Sequence, residues 1–198
     1  MKPITRDEVL PLGAYESIRE AFRTRIVAEK KLRRIGLGDR MTAVFENHDT
    51  ALLQVQEMLR TERISREAAV LHEIETYNEL VPADGELSAT FMIEIDDKAE
   101  RERFLEAAAG IEGAFRLFIS VSDHTYESRG VYSKARESGV RASAVLYLKF
   151  PLPTEALGAL KEAPVSSLAV SLEVKHAAYE ANASLPPALI ASLKEDVS

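Results

Sequence analysis

Two short stretches hold most of the residues that could do chemistry: Phe45–Ile64 (FENHDTALLQVQEMLRTERI) and Leu71–Pro82 (LHEIETYNELVP). At about 100° per residue, Leu52, Val55, Met58 and Leu59 define the apolar face of a helix over 50–63. Gln56, Glu62 and Arg63 fall on or beside that face, while Gln54, Glu57 and Thr61 point away from it. A buried polar group left unpaired costs about 1–3 kcal/mol. These three side chains are therefore expected either to form an internal network, such as a Glu–Arg pair locking two helices, or to surround a ligand. On the next helix Val70, Ile74, Tyr77 and Val81 face the core, with Asn78 beside them. His72, Glu75 and Glu79 share the opposite face at spacings of three and four, which is half of a divalent-metal site or an ordinary solvated face. A di-iron helical bundle wants Glu-x-x-His on two helices; here the order is His-x-x-Glu and occurs once.

A third polar stretch, Ser122–Gly139, carries His124, Tyr126, Arg129, Tyr132, Lys134 and Arg136. It reads as a long link between strands, either mobile or anion-binding. No phosphate-binding glycine loop, nucleophile elbow or H-E-x-x-H zinc motif occurs. The chain has no cysteine, which removes disulfides, thiolate metal sites and a cysteine nucleophile.

The two polar stretches resemble a bacterial family described as "domain of unknown function 3501". The residues that carry the resemblance are Glu46-Asn47, Asp49-Thr50, Gln54, Gln56 to Arg60, Glu62-Arg63, His72-Glu73 and Thr76 to Leu80, together with KPITRDEVLPL near the start and RASAVLYLKFPL later on. His48 stands where the pattern expects Arg. The resemblance runs over nearly the whole chain. It implies no known activity. It does imply association with peroxide or redox defence, because such proteins are encoded beside rubrerythrin and an iron–sulfur oxidoreductase; either is then an expected partner.

The elements that must position these residues follow from periodicity. The 198 residues, 46% hydrophobic and 29% charged, suit one globular unit with its own core. Residues 1–85 read as helical: Ala14 to Arg34, stopped by Gly36 and Gly38; a helix capped by Asp49 or Thr50; another from Arg66 to Leu80. One short strand, 41–45, interrupts them. From Glu86 the period becomes two. ELSATFMIEI, FRLFISV, ASAVLYLKF and SLAVSLEVK each carry one apolar face, with helices at 97–110 and 154–163 between them. Residues 86–176 thus spell βαββαβ, a ferredoxin-like antiparallel sheet, and the expected class is α+β. Residues 177–198 are expected to be a tail with a short helix after Pro186 and Pro187.

The usual order for that motif puts strand 86–95 between 168–175 and 141–150. Its open face would then show Thr90, Met92 and Glu94 beside Val145 and Tyr147, with Phe118 on the adjacent edge. That face is apolar enough to need covering by the N-terminal helices, a second subunit or a ligand.

Charge is uneven: residues 1–40 carry ten Lys/Arg against six Asp/Glu, yet the whole chain is −7. The basic run 23–34 (RTRIVAEKKLRR) is an amphipathic helix, and the acidic remainder argues against nucleic acid. No apolar run is long enough to span a membrane and the start lacks a signal-peptide core, so a cytoplasmic protein is expected. Two functions remain open. One is an accessory protein working as a homodimer. The other is a small enzyme or ligand sensor built on Glu46, Asn47, Gln56, Glu62, Arg63, His72, Tyr77 and Asn78.

Overall fold

The computed structural model describes residues 1–132 and 141–197. Three helices, α1 (Leu12–Leu32), α2 (His48–Thr61) and α3 (Glu67–Asn78), flank two early strands in the chain, β1 (Arg34–Leu37) and β2 (Met41–Glu46). Then come β3 (Glu86–Ile93), α4 (Lys98–Ala107), β4 (Phe115–Val121), β5 (His124–Arg129), β6 (Val131–Tyr132) and β7 (Val145–Pro151). The chain continues through α5 (Thr154–Glu162), β8 (Leu168–His176), β9 (Tyr179–Ser184) and α6 (Pro187–Val197). The fold is mixed α and β with two antiparallel sheets, ordered β1-β2-β3-β7-β6 and β5-β4-β8-β9.

This strand order corrects the ferredoxin-like expectation. β3 does lie beside β7, but its other neighbour is β2, in register from Met41 opposite Ile93 to Glu46 opposite Ser88. β8 pairs instead with β4, setting Leu117 opposite Leu172 and Ile119 opposite Val170. The reason lies in MTAVFE, which is buried on both faces: Met41, Ala43 and Phe45 face one way, Val44 and Glu46 the other, and all five are buried. Such a strand belongs in the middle of a sheet. Phe118 and Tyr147 accordingly lie on different sheets and form no shared aromatic face.

The apolar faces of the two sheets meet in one core, where the Phe91 ring lies 4.3 Å from Phe115 and 6.2 Å from Phe150. Among the described residues of the expected 122–139 link, most are strand: β5 follows β4, and after Gly130 the chain crosses to the other sheet as β6. Gly130 donates its N–H to Phe115 O at 3.0 Å, and a Cβ there would stand 3.3 Å from both Phe115 and Phe150. A glycine corner is how one strand serves two sheets. Lys134 and Arg136 lie outside the described residues.

On the opposite side β9 approaches β1. The Tyr179 hydroxyl donates to Leu37 O at 2.9 Å and accepts from Arg40 N–H at 3.1 Å. Gly38, at φ +72°, makes room: a Cβ there would fall 2.2 Å from the Tyr179 oxygen. The tail therefore supplies a strand as well as the expected helix.

α4 sits at one end of the sheets, where Ala142 donates to Leu105 O at 2.8 Å, and α5 and α6 at the other. Lys194 of α6 caps the C-terminal carbonyls of α5, reaching Leu160 O at 2.6 Å and Ala163 O at 2.7 Å. A second core lies outside the five-stranded sheet. It joins Val55 and Leu59 of α2, Val70 and Ile74 of α3, and Ile4 and Val9 of the segment before α1, with Tyr147 of β7 packed against them. Among the described residues no helix is long and apolar enough to cross a membrane.

Candidate functional site

Glu46 ends β2. Because Phe45 faces the inner core, Glu46 faces the helices, and it is 2% exposed. Its Oε1 accepts the Thr90 hydroxyl at 2.7 Å; its Oε2 is buried, has no hydrogen bond, and lies 3.3 Å from Lys30 Nζ of α1. Three residues on from Lys30, at the helix end, Arg33 is 1% exposed. Its Nε donates to Phe45 O at 2.7 Å and Nη2 to Glu46 O at 3.1 Å. Nη1 donates to Ser192 Oγ at 2.7 Å and to Asp196 Oδ1 at 3.3 Å, and Nη2 also meets Asp196 Oδ2. All five guanidinium donors therefore have acceptors, a fork that lysine could not reproduce.

Ser192 and Asp196 are one turn apart on α6. Burial pushes the Asp196 carboxyl up, while the Arg33 charge and the Asn47 side chain pull against it. Asn47 caps α2, accepting Thr50 N–H at 2.9 Å, and its Nδ2 donates to Glu29 at 2.6 Å. The result is a group of three carboxylates, Glu29, Glu46 and Asp196, with two cations, Lys30 and Arg33; the Glu46, Asp196 and Arg33 side chains are buried, Glu29 and Lys30 only partly. A cavity of about 580 Å³ abuts it, bordered by Asp84, Gly85, Leu157, Lys161, Glu195 and Asp196 among others. Such a volume suits a small molecule, and the wall carries both signs of charge.

The structure distributes the sequence candidates unevenly. Glu46 and Asn47 come together here, joined by Arg33 and Asp196, which no motif or periodicity singles out. Gln56 and Asn78 are spent elsewhere: each holds the backbone of the segment before α1, Gln56 at Leu10 and Asn78 at Ile4. Tyr77 is half-buried in the second core, and burial, with Tyr147 beside it, raises its hydroxyl above the ordinary range.

Glu62 and Arg63 correct the expected internal pair. Both are exposed, because α2 stops at Thr61; Glu62 is its C-cap and Arg63 turns to φ +54°. Angular positions on a helix have no meaning beyond its last turn. His72 and Glu75 are exposed and Glu79 half-buried. Among the described residues no three or more His, Asp or Glu side chains are grouped to hold a metal ion. His48 lies between two carboxylates, Nδ1 at 3.2 Å from Asp49 and Nε2 at 3.0 Å from Glu8.

Glu57, read as outward-facing, is instead the hub between α1 and α2. It accepts the buried Tyr15 hydroxyl at 2.7 Å and both arms of the Arg19 fork at 2.7 Å. Tyr15 and Arg19, four apart on α1, were the available signal.

Residues 3–197 match the family model described as Protein of unknown function (DUF3501). The chain belongs to this family. It is also similar to a solved structure titled as a novel protein of unknown function from Burkholderia pseudomallei K96243, with 30% identity, all of both chains covered and a TM-score of 0.87. No curated protein matches it. For a DUF3501 chain the site is thus defined by its own geometry: two helices and a strand end brought to one buried charge cluster, with a cavity beside it.

Proposed function

We propose that the chain is a non-catalytic accessory protein that works by docking to other proteins, as a cytoplasmic homodimer within a bacterial peroxide or redox defence system. One observation carries the docking part. Of the 21 residues of α1 only Tyr15 and Ile26 are fully buried, while Ile18 and Leu32 stay 46% and 57% exposed. With Ala14, Ala21 and Ala28, also exposed, and Arg25, they repeat at alternating spacings of four and three. That is the spacing of a two-helix coiled-coil seam, with Arg25 turned to Asp49 on α2, and apolar surface at such spacing favours a partner helix.

The scattering of Gln56, Asn78, Glu62 and Arg63 into separate roles supports an interaction protein over an enzyme assembled from them. The redox setting rests on the family resemblance. A chain without cysteine cannot carry a thiol or a thiolate-held cluster, so its part there is to bind rather than to relay electrons through sulfur. Solution mass from low to high micromolar concentration tests the dimer, using the natural chain, Ile18→Glu and Leu32→Glu. A dimer that either substitution dissociates supports the reading; a monomer throughout, or a dimer indifferent to both, removes α1 as the interface. Titration against rubrerythrin and an iron–sulfur oxidoreductase tests the setting, and absence of binding to both overturns it.

The cavity beside Asp196 favours a second reading, a small enzyme or ligand sensor with a polar pocket. Native mass spectrometry of freshly purified protein decides between them: a stoichiometric small molecule moves the function to the cavity.

A further inference from the structure

Residues 1–11 join neither sheet and, apart from one 3-10 turn over Arg6–Glu8, no helix. Two side-chain amides nevertheless grip them. Asn78 accepts the Ile4 N–H at 2.7 Å and donates to Ile4 O at 3.0 Å. Gln56 accepts the Leu10 N–H at 2.7 Å and donates to Leu10 O at 3.3 Å. An amide that takes both main-chain groups of one residue copies one rung of a β-ladder and is blind to that residue's side chain.

Selectivity then falls to the pockets. Ile4 and Val9 are buried in the second core against α2 and α3. At the rim the Arg6 fork meets Glu67 at 2.8 and 3.0 Å, and Glu8 meets His48 at 3.0 Å. Lys2, Pro3, Thr5, Asp7, Glu8 and Pro11 are exposed. Val9 does not fill its surroundings: about 190 Å³ stays open beside it, bordered by Leu59, Ile64 and Val70.

We infer that the groove between α2 and α3 is a docking site for a peptide segment of a partner protein that makes one 3-10 turn over its third to fifth positions and is aliphatic at its first and sixth, and that residues 1–11 are its resident, displaceable occupant. Asn78 reads the main chain at the first position and Gln56 at the seventh. Glu67 and His48 favour a base at the third and an acid at the fifth. The open space beside Val9 gives a larger sixth side chain an advantage over the resident. The segment is held by the buried Ile4 and Val9, by the two amide clamps and by the Met1–Asp84, Arg6–Glu67 and Glu8–His48 pairs. These are contacts with α2, α3 and the loop after α3 rather than hydrogen bonds to a strand, so it can open while the sheets stay closed. A tethered occupant competes at millimolar effective concentration, so an incoming peptide must fill that space or arrive when the segment has lifted. This surface is separate from the exposed side of α1 and extends the accessory reading by naming a ligand chemistry.

The test uses the full chain carrying Ile4→Asp and Val9→Asp, which leaves every groove residue in place. The probe is a fluorescent peptide of residues 1–11, followed by anisotropy. It should bind this variant about tenfold or more tightly than it binds the natural chain, whose own segment competes. Adding Asn78→Leu or Gln56→Leu should weaken binding about tenfold, the loss of a two-bond clamp. A peptide of otherwise unrelated sequence that keeps the aliphatic pair should compete, and one with Asp at both positions should not. Failure of the pattern-matched peptide to compete, or no probe binding, overturns the inference. Should the double variant fail to fold, amide exchange on the natural chain decides. The Ile4 and Leu10 amides should exchange at least a hundredfold faster than those of Ala89 and Leu148 in the sheet, and equal protection overturns the inference. Neither result alters the solution mass, so this inference and the dimer fail separately.

Discussion

The Arg33 guanidinium and the Asp196 carboxylate meet across 163 positions of sequence, in a place water hardly reaches. That contact joins the end of α1 to α6, and Arg33 also holds the last two carbonyls of β2. Arg33→Met should therefore lower stability by about 3–5 kcal/mol, the cost of stranding a buried carboxylate. Arg33→Lys should recover little of it, since one ammonium cannot reach five acceptors. Urea unfolding midpoints measure both, and a loss under about 1 kcal/mol for Arg33→Met would mean that Asp196 finds water instead.

Lys30 and Glu46 form the neighbouring pair, with Lys30 partly in solvent. Lys30→Met should cost about 1–3 kcal/mol, less than a fully buried cation because water screens part of the charge. Adding Glu46→Gln should return much of that loss. A double-mutant cycle on unfolding free energies reports the coupling, and strict additivity would show that the two charges do not interact.

Gly38→Ala should destabilise by about 1–3 kcal/mol or more, through both its left-handed backbone and the collision with the Tyr179 oxygen. Tyr179→Phe removes that oxygen, so the double variant should lose less than the two single losses together. The backbone part of the cost, with the close approaches to Ala181 Cβ at 3.0 Å and Tyr179 Cζ at 3.1 Å, should persist in the double variant, and calorimetric midpoints separate this from the collision with the oxygen.

Glu57 predicts a pH dependence. The Arg19 fork and the Tyr15 hydroxyl hold its carboxyl below the ordinary range. A depressed carboxylate contributes its full stabilisation above the ordinary glutamate range and loses it as pH falls through its own lower value. Glu57→Gln should thus cost about 1–2 kcal/mol at neutral pH and progressively less as the pH falls through the lowered range of the carboxyl. Denaturation at several pH values should show the two curves converging on the acid side; parallel curves would contradict the assigned cause.

Much of the fold is legible in the alternation of Leu87, Ala89, Phe91 and Ile93 and of its three sister strands. Which strand neighbours which is not, because Leu168, Val170, Leu172 and Val174 repeat with the same period and fit any partner equally well. β1 and β9 escape the same reading for local reasons. Gly36 and Gly38 look only like a helix stop, and Ala181 and Ala183 are too small to mark a buried face. Within the site, Glu46 and Asn47 stand out as polar residues at a strand–helix junction. Arg33 does not, since KKLRR looks like any solvated helix end and its partner comes from α6. Glu62 and Arg63 mislead for the opposite reason, continuing a helical period past the point where the helix has stopped.

The corner at Gly130 bears on how this protein behaves when crowded. A strand that leaves one sheet and enters the other ties the two together on that side, where β6 pairs with Leu148 and Lys149 of β7, and the Tyr179 latch ties β9 to β1. Where the two sheets are tied in this way, the main-chain donors and acceptors that are paired cannot template a neighbour's strand. Fibril growth would have to start by prising one seam apart, so substitutions that loosen Gly130 or Tyr179 should seed cross-β assembly at concentrations where the natural chain stays dispersed.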